Sequence, residues 1–144
     1  MSDERLLKLD NQLCFAVYSA NLAFNQKYRQ LLAPLGITYP QYLVMLVLWE
    51  KDRVTVSEIG KRLYLESSTL TPMLKKLENS GLITRQRSEQ DERQVLIGLT
   101  EQGAALKQQA QKIPELIQQT SQCDLQTLIE LKHQLEQLRA KLIK

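Results

Sequence analysis

Metal ligands and disulfide partners are scarce in this sequence. Its 144 residues include one histidine, His133, and two cysteines, Cys14 and Cys123. Because zinc sites in proteins need about four cysteine, histidine or carboxylate ligands, we predict neither a metal site nor a cofactor. His133 is then a solvated or packed helix residue. Two cysteines so far apart do not make a disulfide scaffold, so we expect two free thiols or one redox pair.

Long apolar runs and helix-breaking residues are scarce as well. The longest apolar run, residues 42–49, is too short to cross a bilayer, and the N-terminus lacks the apolar segment of a signal peptide. We therefore expect a cytoplasmic protein with no membrane partner. Four prolines and five glycines leave room for long helices, and a hydrophobic share of 43% is typical of a globular chain.

Charge is unevenly distributed along a chain whose net charge is only +3. From Lys61 to Arg87 there are six basic side chains and two acidic ones, which leaves the rest of the chain slightly acidic. A locally basic segment of this kind is typical of a nucleic-acid-binding face. A solvated helix surface would carry the same charges, so charge alone does not decide between the two interpretations.

Apolar residues repeat at helical spacing at both ends of the chain. From Leu6 to Leu32 they recur every three or four positions, which predicts one helix of about 25 residues, roughly 38 Å long. A helix of that length exceeds what so small a chain can bury against itself, so we expect part of it to meet a partner. Leucines with near-heptad spacing in residues 128–142 predict a second helix–helix seam. Together the two patterns predict a homodimer.

The middle of the chain has the pattern of three helices followed by a hairpin. Thr38 and Thr55, each followed three residues later by Gln or Glu, predict capping boxes that open the first two helices. The third helix is expected to end near Gly81. Two strands, residues 82–87 and 94–99, flank a charged turn. This order predicts a mainly α fold with a small β-hairpin wing, a winged helix-turn-helix.

The third helix is suited to a DNA major groove. Small hydroxyl side chains crowd its N-terminus, where backbone N–H groups add donors for phosphates and base edges, and Pro72 lies near its first turn. Two lysines a turn further on can reach phosphates, and Arg93 at the hairpin tip can enter a minor groove. Ordinary helix capping would explain the hydroxyl residues taken alone. The predicted DNA-contacting residues are Ser67, Ser68, Thr69, Thr71, Pro72, Lys75, Lys76, Arg85, Arg87, Asp91 and Arg93.

The hairpin and the helix before it resemble a known family. The motif Asp91-x-Arg93-x5-Leu99-Thr100 is similar to the wing signature of the MarR family of bacterial repressors. Residues 63–85 resemble the organic-hydroperoxide-sensing branch of that family, OhrR. The resemblance covers about the whole chain.

The resemblance implies a domain organisation and a function. One domain would span residues 1–144, with a winged helix-turn-helix lobe at 39–100 and helical dimerisation regions at 1–38 and 101–144. The protein would be a repressor and not an enzyme. It would bind a near-palindromic operator in double-stranded DNA and release it when an organic hydroperoxide oxidises a cysteine.

Cys14 is the candidate sensor residue, although a lone cysteine is usually a small core residue. Phenol O–H groups can donate to a thiolate, the form that attacks a peroxide. Tyr28 follows Cys14 by 14 residues, about 21 Å along a straight helix, so the two can meet only across a dimer with antiparallel first helices. The OhrR-like resemblance implies that Tyr28 and Tyr39 contact Cys14 from the other subunit and that Tyr18 lies nearby.

The role of Cys123 and the nature of the trigger leave alternatives. The resemblance implies that Cys123, just before the last helix, forms an intersubunit disulfide with oxidised Cys14; a bystander thiol is the alternative. A MarR-type repressor released by a small phenolic ligand, with tyrosines lining its pocket, is a second hypothesis. A thiol peroxidase is a third, and the lack of a thioredoxin-like pattern or a Cys-x-x-Cys motif counts against it.

Overall fold

The computed structural model describes residues 4–144 and divides into two units, one ending at Lys107 and the other spanning Gln108–Lys144. Among the described residues no single helix is both long and apolar enough to cross a membrane. A pair of segments, Leu13–Leu35 and Tyr39–Glu50, meets the length and composition requirement only together and with a 65° bend between them. The second of these segments forms the core of its unit.

The first helix begins later than the sequence predicts. Two short 3-10 turns, Glu4–Leu7 and Leu9–Asn11, precede helix α1 (Leu13–Leu32). The expectation of one continuous helix from Leu6 is therefore wrong for its first two turns. The helix has 20 residues instead of about 25.

Side-chain amides explain this late start. The Gln12 side chain donates to the carbonyls of Leu6 (2.6 Å) and Lys8 (3.0 Å), and the Asn11 side chain donates to the Arg5 carbonyl (2.7 Å). Carbonyls bonded in this way offer the backbone an alternative to the helical ladder. Apolar spacing alone does not reveal the competition.

Helix α2 (Tyr39–Glu50) forms the centre of the first unit. The predicted capping box at Thr38 is confirmed: its hydroxyl accepts from the Gln41 N–H (3.4 Å), and the Gln41 side chain accepts from the Thr38 N–H (2.9 Å). Val44, Met45 and Leu48 are at most 1% exposed. The helix is buried on most of its circumference, as expected for a core helix.

Two further helices form the helix-turn-helix, α3 (Val56–Leu63) and α4 (Ser67–Asn79). The tight turn between them depends on Gly60, because a Cβ there would lie 2.7 Å from the Leu65 carbonyl oxygen. Tyr64 then takes a left-handed conformation (φ 59°) that reverses the chain. Buried apolar side chains fix the two helices against α2: Ile59, Leu70, Leu74 and Leu77.

The wing is a small antiparallel sheet. Strands β2 (Ile83–Arg87) and β3 (Val95–Leu99) pair from Ile83 with Leu99 to Arg87 with Val95, so the predicted hairpin is confirmed. A third strand, β1 (Val54–Thr55), was not predicted; it pairs with the side of β3 that faces away from β2. Two residues are too few for an alternating pattern to identify a strand.

The wing is attached to the helical core at its base. The Thr100 hydroxyl donates to the Gly81 carbonyl (2.6 Å) and accepts from the Gly103 N–H (3.0 Å), at the start of helix α5 (Glu101–Ala110). A Cβ at Gly103 would overlap the Leu82 carbonyl. We call Gly81, Leu82, Thr100 and Gly103 the wing base.

The second unit contains helices α6 (Ile113–Ser121) and α7 (Leu125–Leu142). Asp124 begins α7 by accepting from the Thr127 N–H (2.7 Å). Hydrogen bonds from the Thr127 side chain and, to a smaller extent, from its backbone lower the pKa of the Asp124 carboxyl. No residue of α7 is buried, and Leu131 is 50% exposed. Within residues 4–144 no three potential metal ligands cluster together, and His133 is exposed.

Candidate DNA-binding surface and sensor site

The N-terminus of α4 presents short polar groups to solvent. Ser67, Ser68 and Thr69 are exposed. Glu66, the residue before the helix, makes no side-chain hydrogen bond to it. The hydroxyls and the positive end of the helix dipole therefore face outward together, which suits contact with phosphates.

Thr71 and Pro72 lie deeper in the helix. The Thr71 hydroxyl donates to the Ser67 carbonyl (2.8 Å), so its proton is used within α4. Pro72 is the sixth residue of α4, in the second turn and not near the first turn as expected, and it has no N–H for the Ser68 carbonyl. Lys75 and Lys76, one turn later, are exposed.

The wing tip is built around two short side chains. The buried Ser88 hydroxyl accepts from the N–H groups of Gln90 (3.2 Å) and Asp91 (3.3 Å). The Asp91 carboxylate accepts from the Arg93 N–H (3.0 Å) and lies 3.7 Å from the Arg93 Nε. Arg93 itself is 94% exposed. Asp91 thus shapes the turn that presents Arg93, and Ser88 is a structural residue that the sequence analysis missed.

The other two predicted wing cations have partners within the chain. Arg87 donates to the Glu92 carbonyl (2.9 Å) across the hairpin loop. The Arg85 Nε lies 3.4 Å from a Glu78 carboxylate oxygen, and the Arg85 side chain is 27% exposed. Arg85 therefore ties β2 to α4, while the lysines of α4 and Arg93 are the more open cations.

Cys14 is the second residue of α1, and it is exposed. Tyr18, one turn further on, is 60% exposed. The neighbouring apolar side chains on the first twelve residues of the helix are also exposed, between 41% and 61%: Leu13, Phe15, Val17, Leu22 and Phe24. The thiol therefore lies on an apolar surface that this chain by itself leaves open to solvent.

A cluster of phenols lies where α1 meets α2. The ring centres of Tyr28 and Tyr39 are 4.4 Å apart, and the ring centre of Tyr42 lies 5.8 Å from that of Tyr28 and 6.2 Å from that of Tyr39. We call these three residues the phenol cluster. Burial, with smaller contributions from the other two phenols, raises the pKa of Tyr28 to about 12. Burial also raises the pKa values of Tyr39 and Tyr42, so all three phenols stay protonated near neutral pH and can donate.

The structure brings Tyr28 and Tyr39 together but does not bring them to Cys14 of the same chain. Tyr28 lies 14 residues after Cys14, about 21 Å along α1. Tyr42 was not among the predicted sensor residues, although it follows Tyr39 by one helical turn and so shares its face of α2. A cleft of about 490 Å³ opens beside Tyr39 and is also lined by Asn25, Arg29 and Ile37.

The helix-turn-helix, the wing and its exposed arginine define a winged helix-turn-helix transcription regulator, a class of DNA-binding protein. A sequence profile of the SarA/Rot transcriptional regulators matches residues 26–110. The organic hydroperoxide resistance transcriptional regulator of Bacillus subtilis is 53% identical over 126 residues, which are 88% of this chain and 86% of that relative. The chain belongs to the MarR family of transcription regulators, in its organic-hydroperoxide-regulator branch. Its relatives are regulators and not enzymes.

Solved structures of relatives share the fold. Reduced AbfR bound to DNA, a protein of Staphylococcus epidermidis, is 41% identical, with 99% of both chains covered and a TM-score of 0.75. The disulfide form of AbfR is 42% identical, with 94% and 95% covered and a TM-score of 0.63. A MarR variant of Escherichia coli with operator DNA is 27% identical, with 95% and 99% covered and a TM-score of 0.80.

Proposed function

We propose that the protein is a peroxide-sensing repressor whose homodimer releases a near-palindromic operator when an organic hydroperoxide oxidises Cys14. The observation that carries the proposal is the exposed Cys14 thiol on an apolar surface of α1, in a chain that keeps a protonated phenol pair, Tyr28 of α1 and Tyr39 of α2, where these two helices meet. The name of the Bacillus subtilis relative, an organic hydroperoxide resistance regulator, points to the same class of oxidant.

The homodimer follows from the exposed apolar surface. Leucine, valine and phenylalanine side chains on the first twelve residues of α1 are 40% exposed or more, and so are leucines from one end of α7 to the other. Soluble monomers rarely expose large apolar patches, and burial of each of these surfaces against a second copy would remove it from water. An antiparallel pair of α1 helices would also place Cys14 of one subunit beside the Tyr28 and Tyr39 phenols of its partner.

The chemistry requires only the thiol and the oxidant. The Cys14 thiolate attacks the terminal oxygen of the hydroperoxide, and the O–O bond breaks. The sulfur becomes a sulfenic acid, and the leaving alkoxide takes up the proton that the thiol had released and becomes an alcohol. Phenols that remain protonated can donate to the thiolate before the attack. The apolar surroundings of Cys14 favour a hydroperoxide with an apolar body.

DNA binding would use α4 in the major groove and the wing in a neighbouring minor groove. The exposed hydroxyls and lysines of α4 and the exposed Arg93 support these contacts. AbfR, a relative of this fold, was solved on DNA in both its reduced and its overoxidised form, which supports DNA binding by this chain. Two recognition helices one DNA turn apart would match a near-palindromic operator.

The test is operator release by cumene hydroperoxide, followed by fluorescence anisotropy. Wild-type protein should release the operator, while Cys14→Ser should bind it but not respond, because a hydroxyl cannot form a sulfenic acid. Cys123→Ser removes the other thiol and leaves Cys14 in place, so it shows whether the response needs Cys123 as well. A Cys14→Ser protein that still releases DNA with peroxide would show that the trigger lies elsewhere.

A small phenolic ligand is the second candidate trigger. The cleft of about 490 Å³ beside Tyr39 has the volume for such a ligand, and Arg29 in its lining could meet a carboxylate. Salicylate and cumene hydroperoxide separate the two triggers. Release of Cys14→Ser from the operator by salicylate, with no effect of peroxide on the wild type, would favour the ligand.

A further inference from the structure

The phenol cluster continues into the core through one more aromatic ring. Tyr42 is 3% exposed and contacts the rings of both Tyr28 and Tyr39. On its other side the Tyr42 ring meets Trp49 edge to face, with ring centres 6.4 Å apart and planes at 68°. Because packed aromatic rings leave little space between them, we expect a shift of the two phenols to move Tyr42.

Trp49 connects this aromatic row to the wing base. Its indole N–H donates to the Gly103 carbonyl at 3.0 Å, across 54 residues of sequence. Gly103 in turn donates to Thr100, whose hydroxyl donates to the Gly81 carbonyl. Strand β2 begins two residues after Gly81, and strand β3 ends one residue before Thr100. The indole of Trp49 is thus hydrogen-bonded to the wing base, which is where β2 begins and β3 ends.

We infer that Tyr42 and Trp49 are positioning residues that couple the state of the Tyr28–Tyr39 pair to the position of the wing. This inference rests on the proposed function, since the phenols change partners only if Cys14 reacts beside them. A change at the phenols moves Tyr42, Tyr42 moves Trp49, and the indole carries the movement to Gly103. Gly103 itself lies so close to the Leu82 carbonyl that a Cβ would not fit, so a displacement of Gly103 is passed on to the wing base.

The coupling is measured as the ratio of operator Kd values for oxidised and reduced protein. Trp49→Phe keeps an aromatic ring beside Tyr42 and removes only the N–H donor to Gly103. A hydrogen bond of ordinary strength corresponds to a factor of about 2 to 10 in this ratio, so Trp49→Phe should lower it by about that factor. Mass spectrometry should show Cys14 oxidised at the wild-type rate, which separates coupling from sensing.

A second pair of variants tests Tyr42. Tyr42→Leu removes the ring and should lower the Kd ratio, while Tyr42→Phe keeps the ring and should restore it. A residue with only a structural role would shift the melting temperature in Tyr42→Leu and leave the Kd ratio of the remaining folded protein unchanged. Circular dichroism before the binding assay identifies a variant that does not fold, and Trp49→Phe then still tests the inference.

The single tryptophan offers an independent signal. Since Trp49 is the only tryptophan in the chain, its emission should change when Cys14 is oxidised in the wild type, and it should stay constant in Cys14→Ser. Constant emission in the wild type, or unchanged Kd ratios in both Trp49→Phe and Tyr42→Leu at full Cys14 oxidation, would overturn the coupling and leave the peroxide sensor in place. Release of Cys14→Ser by peroxide would instead remove the proposed function.

Discussion

Arg93→Ala tests the wing with little risk to the fold. The Arg93 side chain is 94% exposed, and its ion pair with Asp91 has an Nε–oxygen distance of 3.7 Å. A surface pair of this kind contributes about 0–1 kcal/mol, so the variant should melt near the wild-type temperature. An arginine in a DNA groove contributes about 1–3 kcal/mol to binding, which predicts an operator Kd higher by roughly 5- to 150-fold.

The assay is a titration of labelled operator DNA at fixed salt, with Lys51→Ala as the matched control. Lys51 is also exposed, and its replacement by alanine removes the same charge. Lys51 lies just before β1, which pairs with β3 at Ile97 and not at the tip of the hairpin, so this variant leaves the wing tip unchanged. Arg93→Lys should recover only part of the affinity, because it keeps the charge and loses the planar fork. Wild-type affinity in Arg93→Ala, or an equal loss in Lys51→Ala, would refute the groove contact.

Three more predictions follow from the same structure. Lys75→Ala should weaken binding to all DNA sequences alike and reduce the slope of log K against log salt by about 1, as measured in a salt titration; an unchanged slope would place Lys75 away from phosphates. Gly60→Ala should lower the free energy of unfolding in urea by about 1–3 kcal/mol, because its Cβ would lie 2.7 Å from the Leu65 carbonyl; wild-type stability would mean that the turn can open. Folding raises the pKa of Tyr28 from 10.0 to about 12, so protonation of this phenol favours the folded state. This contribution to the free energy of unfolding is complete below pH 10 and is lost as the pH rises from 10 to about 12. Tyr28→Phe should therefore lose less stability than wild type between these pH values in thermal melts, and equal losses would contradict the shift.

Local signals explain why most of the fold could be predicted from the sequence. The capping box at Thr38 and the helix stop at Gly81 act through neighbouring residues, so their sequence patterns were sufficient. The start of α1 was missed because the Gln12 and Asn11 side chains bond carbonyls up to six residues back, a competition that periodicity does not register. Strand β1 was missed because it exists only through its pairing with β3.

The same distinction separates the predicted and the missed parts of the candidate site. Exposure of Arg93 and of the α4 lysines was expected from their place in a polar loop and on a polar helix face. The pairing of Arg85 with Glu78 depends on how the wing packs against α4, and the burial of Ser88 depends on the path of the hairpin loop. Both therefore follow only from the three-dimensional structure. The spacing of Tyr42 from Tyr39 is visible in the sequence, but its ring contact with Trp49 is not, because no local pattern connects the phenol cluster with the tryptophan.

A Cys14–Cys123 disulfide between subunits is the remaining prediction. Cys123 is a free, partly exposed thiol between the left-handed Gln122 (φ 58°) and Asp124, the cap of α7. A disulfide holds two Cα atoms within about 7 Å of each other and so fixes one helical segment against another, whereas a sulfenic acid adds a single oxygen atom.

Peroxide-treated wild-type protein should therefore run as a covalent dimer without reductant and as a monomer with it. Cys123→Ser should lose the dimer band and hold Cys14 as sulfenic acid, which mass spectrometry detects as one added oxygen atom. Cys123→Ser should also release operator less completely than wild type, because the bond and not the sulfenic acid would move the helices. Full release by Cys123→Ser, or a wild type with no linked Cys14–Cys123 peptide, would make Cys123 a bystander and leave Cys14 oxidation alone as the switch.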